Sequence, residues 1–189
     1  MDLHALGWNN FFQDEFSKFS KQSYFAARVA SENKGIYRLF TICGEVCGKT
    51  SGKFRYSANK RSDYPVVGDW VVINNNTGYG EAIIHGVLPR KSKFSRKIAG
   101  EVTEEQIVAA NIDTIFLVTA LNKDFNTRRI ERYLTIAWES GANPAIVLSK
   151  ADLEDDVTQK VLEVEKVAIG VPVYSISSLR NREWLKQYL

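Results

Sequence analysis

The hydrophobic period of this chain changes once, near residue 112, and that change limits the folds open to it. Before it, apolar residues come in short runs rich in branched and aromatic side chains, at residues 24–30, 37–46, 66–73 and 81–88. Turn chemistry separates these runs: Glu32-Asn33-Lys34-Gly35, residues 59–63, and Asn74-Asn75-Asn76-Thr77-Gly78. About five short strands with no convincing helix among them predict a small closed β barrel, the OB fold being its most economical form. Val67-Gly68-Asp69-Trp70-Val71 reads as a turn entering a barrel strand, with Gly68 allowing the bend and Trp70 packing inward. Ahead of the barrel, Leu6, Phe11, Phe12, Phe16 and Phe19 are spaced for an amphipathic helix or hook laid on it.

After residue 112 strands and helices alternate. Residues 114–119 are a continuous apolar run of the kind expected for a strand buried on both faces. A helix follows, with Asn126 or Thr127 as N-cap, a stripe at Ile130, Tyr133/Leu134 and Ala137/Trp138, and Gly141 as its stop. A second strand at 144–148 leads to a helix with its stripe at Val157, Val161, Val164 and Ala168, closed by Gly170. A third strand at 171–176 leads to a last helix carrying Trp184/Leu185 and Tyr188/Leu189. This alternation implies right-handed βαβ units and a parallel sheet. Three strands make only half of a usual doubly wound domain. The expected organisation is an N-terminal extension (1–23), a barrel (24–89), a basic linker (90–112) and an α/β half (113–189).

Composition narrows the functional classes. With 189 residues, 44% hydrophobic and 25% charged, the chain is expected to be globular rather than disordered. No apolar run approaches the roughly 18 residues of a membrane span, and the first 25 residues lack the basic start and apolar block of a secretory signal. Two cysteines and two histidines are too few for a disulfide scaffold or a four-ligand zinc site. Cys43 and Cys47 read as small apolar barrel residues. The expectation is a cytoplasmic protein with no membrane contact and no metal ligands in this stretch.

Charge is uneven. Up to residue 112 there are 15 Lys/Arg against 11 Asp/Glu, and beyond it 10 against 11. Residues 49–61 hold Lys49, Lys53, Arg55, Lys60 and Arg61 without an acid, and residues 90–97 hold Arg90, Lys91, Lys93, Arg96 and Lys97, also without one. Interleaved with Phe54, Tyr56 and Phe94, these cations suit a phosphate backbone with stackable bases. Solvated strand faces would look the same on charge alone.

In parallel sheets ligands bind at the carboxyl ends of strands. The second strand of the α/β half runs into Ser149-Lys150-Ala151-Asp152 and the third into Ser177-Ser178. A carboxylate placed there can accept two hydrogen bonds from guanine N1–H and its exocyclic amine, a donor pair adenine lacks. A neighbouring lysine can lay its methylene stem on the flat base, and small residues in the next loop let backbone N–H groups approach the guanine carbonyl. The alternative is that Lys150 starts a loop and Asp152 caps a helix. Asp113 or Asp152 as a phosphoacceptor is the weakest reading, because Asp113 precedes its strand.

A phosphate cradle would need Gly-x-x-x-x-Gly-Lys-Ser/Thr between strand and helix. Gly48-Lys49-Thr50 comes nearest, but residue 43 is a cysteine, and Ser51-Gly52-Lys53-Phe54-Arg55-Tyr56 reads as another strand. The guanine-type loop therefore comes without a phosphate loop before it.

Several stretches in one order resemble the circularly permuted, ribosome-dependent RsgA (YjeQ) GTPase family. They include Ser51-Gly52-Lys53-Phe54-Arg55-Tyr56, Val67-Gly68-Asp69-Trp70-Val71, Leu88-Pro89-Arg90-Lys91-Ser92-Lys93-Phe94 and Arg128-Arg129-Ile130-Glu131-Arg132-Tyr133-Leu134. The similarity runs on through Ser149-Lys150-Ala151-Asp152-Leu153 and is collinear from about residue 6 to the last. The resemblance implies an OB barrel followed by the first half of a permuted P-loop-type GTPase domain, with phosphate loop and zinc-binding domain past Leu189. It places Ser149, Lys150 and Asp152 on the family's guanine motif and Ser177 and Ser178 on its Ser-Ala motif. Ser149 stands where Asn or Thr is usual, Ser178 where Ala is usual, and Asn181-Arg182 replaces a glycine-bearing turn.

The implied activity is GTP hydrolysis with Mg2+ in the full-length parent, stimulated by the small ribosomal subunit during its late maturation. The barrel and linker would touch rRNA, and zinc would be needed only in the missing C-terminal domain. A chain of 189 residues without the phosphate loop is expected not to hydrolyse GTP. A third strand lacking its neighbour is expected to favour self-association. The competing expectation is a non-enzymatic OB-fold RNA-binding module with an accessory α/β half.

Overall fold

A computed structural model describes residues 1–19, 23–74, 81–97, 105–123 and 125–177, and divides the chain into two compact units, Met1–Asn111 and Ile112–Leu189.

The first unit is built on five strands: β1 (Tyr24–Asn33), β2 (Ile36–Thr41), β3 (Gly44–Thr50), β4 (Trp70–Asn74) and β5 (Ala82–Val87). They close a barrel in the order β1-β2-β3-β5-β4, with β4 returning to β1 and only the β3–β5 pair parallel, as in an OB fold. The run at residues 37–46 is two strands, because the chain turns at Ile42-Cys43. Cys43 and Cys47 are exposed rather than part of the barrel interior.

β4 shows why a strand of an antiparallel barrel can read as continuously apolar: Trp70, Val71, Val72 and Ile73 are all buried. Val71 and Ile73 join Val29, Leu39 and Ile84 in the barrel core. Trp70 and Val72 face the other way and join Trp8, Phe12 and Leu88. Trp70 therefore packs outward, not inward, since neighbours in a strand alternate faces. What covers it is helix α1 (Asn10–Ser17), capped by Asn9 and anchored by the buried Phe12. The Trp8 and Trp70 rings meet edge to face at 4.7 Å.

Between β3 and β4 the expected strand at residues 51–56 is instead a short helix, α2 (Gly52–Ser57). The Ser51 hydroxyl accepts the Phe54 N–H at 3.0 Å, the N-cap geometry that outweighs the β preference of Phe54 and Tyr56. A single 3-10 turn, Arg61–Asp63, follows. Gly48-Lys49-Thr50 lies within β3, not in a loop, and a Cβ on Gly48 would sit 2.8 Å from the Ala82 carbonyl oxygen. Close strand approach accounts for that glycine.

The segment expected to be a linker folds as an antiparallel hairpin of β6 (Lys93–Lys97) and β7 (Glu105–Ala110). β7 passes so near Gly68, at φ +88°, that a Cβ there would fall 2.0 Å from the Ala110 carbonyl oxygen. Asn111 closes the unit: its side chain accepts the Lys91 N–H and donates to the Gly68 carbonyl.

The second unit holds a parallel sheet in the order β10-β9-β8, from β8 (Thr114–Ala120), β9 (Asn143–Ser149) and β10 (Val173–Ser175). Helices α3 (Thr127–Glu139) and α4 (Val157–Val167) share one core with Leu121, Ile146 and Leu148. Asn126 is the α3 cap, accepting the Arg129 N–H. β8 departs from expectation. Leu117 joins the core, but Phe116 and Val118 are 37% and 65% exposed, so the strand is not buried on both faces. The expected last helix lies outside the described residues.

Candidate functional site

The three strands of the second unit end in a stitched set of loops. Ser149, last residue of β9, donates from its hydroxyl to the Thr119 carbonyl at 3.1 Å, and its own carbonyl accepts the Leu121 N–H at 2.8 Å. Lys150 then takes a left-handed conformation, φ +59° and ψ +38°, costly for a residue with a Cβ and held by its surroundings. The turn it starts is a 3-10 segment, Ala151–Leu153, whose Ala151 N–H donates to the Ile176 carbonyl at 3.1 Å. The Ile176 N–H in turn donates to Leu148 at 2.8 Å. The loop after β10 is thus tied by one main-chain hydrogen bond to the loop after β9 and by another to β9 itself.

Lys150 and Asp152 are exposed, and neither enters an ion pair among the described residues. The cap of α4 is Asp156, which accepts the Gln159 N–H at 2.9 Å. Asp152 is therefore not consumed as a helix cap. Ser177 is half-buried in the adjoining loop; Ser178 lies outside the described residues. The Ala151–Ile176 hydrogen bond brings the start of the loop after β10 beside the turn that carries Lys150 and Asp152. Among the described residues, no cluster of three or more His, Cys, Asp or Glu could hold a metal, and no helix is long and apolar enough to cross a membrane.

The cations of the first unit differ in what they already do. Arg90 is committed: Nε and Nη2 grip both oxygens of Asp69 at 2.8 and 2.7 Å, while Nη1 and Nη2 donate to the Ser62 and Tyr64 carbonyls. Its guanidinium has no fork left for phosphate. Lys91 is exposed with Nζ over the Phe11 and Phe12 rings at 5.5 and 5.7 Å. Lys93 is exposed on β6, where Arg96 and Lys97 follow opposite Gln106 and Glu105 of β7.

Lys53, Arg55, Lys60 and Arg61 are all exposed on the connection that holds α2 and the 3-10 turn. Arg55 Nε donates to the Thr50 hydroxyl at 3.0 Å, which steadies the arginine against β3. Tyr56, on the same helix, is 93% exposed. Asp63 accepts the Lys60 and Asn59 N–H groups at 2.9 Å each, and these bonds hold its carboxyl below the usual carboxylate range. The acid thus shapes the turn that displays the cations.

The first unit also contains a cleft of about 480 Å3 whose wall includes Glu32, Tyr37, Arg61, Tyr64, Val67 and Val108. Sequence reasoning did not assemble it, because its walls come from separate segments: Val67 lies in the turn before β4 and Val108 on β7, and such a pair has no local pattern.

A closed OB-type barrel followed by a parallel sheet is the architecture of a barrel joined to a partial, circularly permuted GTPase-type domain. Residues 87–189 match the family model described as RsgA GTPase, and the chain belongs to that family. The small ribosomal subunit biogenesis GTPase RsgA of Opitutus terrae is 40% identical over 189 residues, covering 96% of this chain and 52% of the relative. RsgA 1 of Oceanobacillus iheyensis is 46% identical over 148 residues, covering 78% and 42%. The crystal structure of YjeQ from Thermotoga maritima superposes with a TM-score of 0.70 at 25% identity, over 88% of this chain and 57% of that one. YloQ, described as a circularly permuted GTPase, shares the fold with a TM-score of 0.61 at 22% identity. The chain spans about half the length of the curated relatives it matches.

Proposed function

We propose that this chain is the RNA-contacting and base-recognising part of a GTPase that acts in maturation of the small ribosomal subunit. The observation that carries the reading is Asp152, exposed and without an ion-pair partner among the described residues, on a loop that the Ala151–Ile176 hydrogen bond holds at the end of a buried strand. Asp152 accepts from guanine N1–H and the exocyclic amine, Lys150 covers the face of the base, and Ser177 belongs to the loop beside its carbonyl oxygen, Ser178 being assigned with it only by its match to the family motif. In this family Mg2+ and the phosphate loop supply the chemistry of hydrolysis. The 189 residues contain no Gly-x-x-x-x-Gly-Lys-Ser/Thr pattern, so this chain alone neither turns GTP over nor holds it tightly.

RNA contact falls to Lys53, Arg55, Lys60 and Arg61 around α2, and to Lys91, Lys93, Arg96 and Lys97 on and before β6. Arg90 supports them without touching RNA. β8 and β10 each have only β9 as a described strand partner, and pairing between copies at such an edge supplies the missing hydrogen bonds.

The test is base selectivity in the protein extended to the length of its relatives. Asp152→Asn is expected to weaken GDP binding about 10- to 100-fold, the loss of a charged bidentate contact. It is also expected to strengthen binding of xanthosine diphosphate, whose exocyclic C2 carbonyl oxygen accepts from the new amide. Equal guanine affinity in the variant and the parent refutes the assignment.

A further inference from the structure

We propose that the 480 Å3 cleft of the first unit is a pocket for one unstacked base of single-stranded RNA, with Arg61 taking the adjoining phosphate. The inference rests on the RNA-contacting reading of this unit and names what one part of that surface holds. The volume falls in the range of small-ligand pockets and admits one nucleotide but not a duplex. Its wall is mixed in the way a base requires. Pro65, Val67 and Val108 are apolar, and Val67 and Val108 are 41% and 45% exposed, so a flat ring set against them removes apolar surface from water. Tyr64, itself packed edge-on against Phe54 at 5.9 Å, brings an aromatic ring that another π-face can meet.

The polar groups suit a base edge. Glu32 uses one carboxylate oxygen to accept the Gly35 N–H at 2.8 Å, and its second oxygen can accept from an exocyclic amine. Tyr37 is buried, and desolvation together with the Glu32 charge lifts its phenol above the ordinary value. The hydroxyl therefore stays protonated and can donate. Charge outside the cleft selects a polyanion: Arg61 belongs to its wall, and Lys53, Arg55 and Lys60 lie on the same connection. An apolar peptide side chain would use the walls but not these cations.

The experiment binds the chain to a single-stranded RNA of about ten nucleotides carrying one 2-aminopurine, across a series of salt concentrations. Fluorescence of the reporter base is expected to change on binding. Val108→Trp, which fills the cleft and removes no charge, is expected to lose that change and to weaken binding about tenfold, with the slope of log Kd against log salt unaltered. Arg61→Gln is expected to lower the slope by about 0.7. Val67→Phe fills the same space from a different segment and gives the second test if Val108→Trp does not fold. Wild-type affinity and wild-type fluorescence in both filled variants, with salt-dependent binding intact, overturns the pocket while leaving the RNA reading in place. Absence of salt-dependent RNA binding by the parent chain overturns both.

Discussion

Arg90 grips Asp69 by both carboxylate oxygens, and the side chain of Asp69 is wholly buried while that of Arg90 is 16% exposed. Asp69 also accepts the Val66 N–H at 2.8 Å, so the pair fixes the turn that leads into β4. Removing one partner leaves a buried charge without compensation. Arg90→Met is expected to lower the unfolding free energy of the first unit by about 3–5 kcal/mol, read from urea denaturation. The double variant with Asp69→Leu should be less destabilised than the single one. Equal stability of Arg90→Met and the parent would show that the pair is dispensable.

Asp63 gives the first unit a defined acid response. Its carboxyl titrates below its ordinary value because the Lys60 and Asn59 N–H groups bind the charged form. The depressed folded value means that the associated stability is present above the unfolded pKa of roughly 4 and is lost as pH falls through the folded value. Asp63→Asn should therefore flatten the dependence of the urea midpoint on pH below about 4, while at pH 7 the variant is the less stable chain. An unchanged acid limb sinks the assignment.

Cations and aromatic around α2 should separate in their salt response. Neutralising Lys53, Arg55, Lys60 and Arg61 together is expected to reduce the slope of log K against log salt by about three for single-stranded RNA. Tyr56→Ala is expected to cost about 1–3 kcal/mol of binding with no change of slope, since stacking releases no counterions. Identical slopes in the parent and the fourfold variant would move the RNA contact elsewhere.

The β8 edge, with Phe116 and Val118 exposed beside it, is expected to bring copies together. Sedimentation velocity should show association that grows with concentration, and Val118→Lys should suppress it by placing a charge on the surface. A monomer at every concentration in the parent chain contradicts the expectation.

Sequence legibility followed locality. The helix cap Asn126 and the strand at β9 could be read because cap, stripe and stop lie within one short stretch, whereas the cap of α4, Asp156, was not read. The Ser149–Asp152 loop was legible for the same reason: a buried strand runs straight into it. The outward packing of Trp70 was not, because a continuously apolar run does not say which face the barrel takes or that α1 covers the other. Helix α2 was obscured by the β preference of Phe54 and Tyr56, although Ser51 three residues before Phe54 is a recognisable cap signal. The cleft was out of reach: Glu32, Tyr37, Tyr64 and Val108 meet only after the barrel has closed.

Arg28 lies between the two ends of the first unit. One nitrogen of its guanidinium donates to the Leu6 carbonyl and another to the Asn111 carbonyl at 3.0 Å. Entry and exit of the barrel are therefore pinned to a single side chain, like the two straps of a parcel under one buckle. Loss of that one side chain would release the N-terminal segment and the last residue of the unit together.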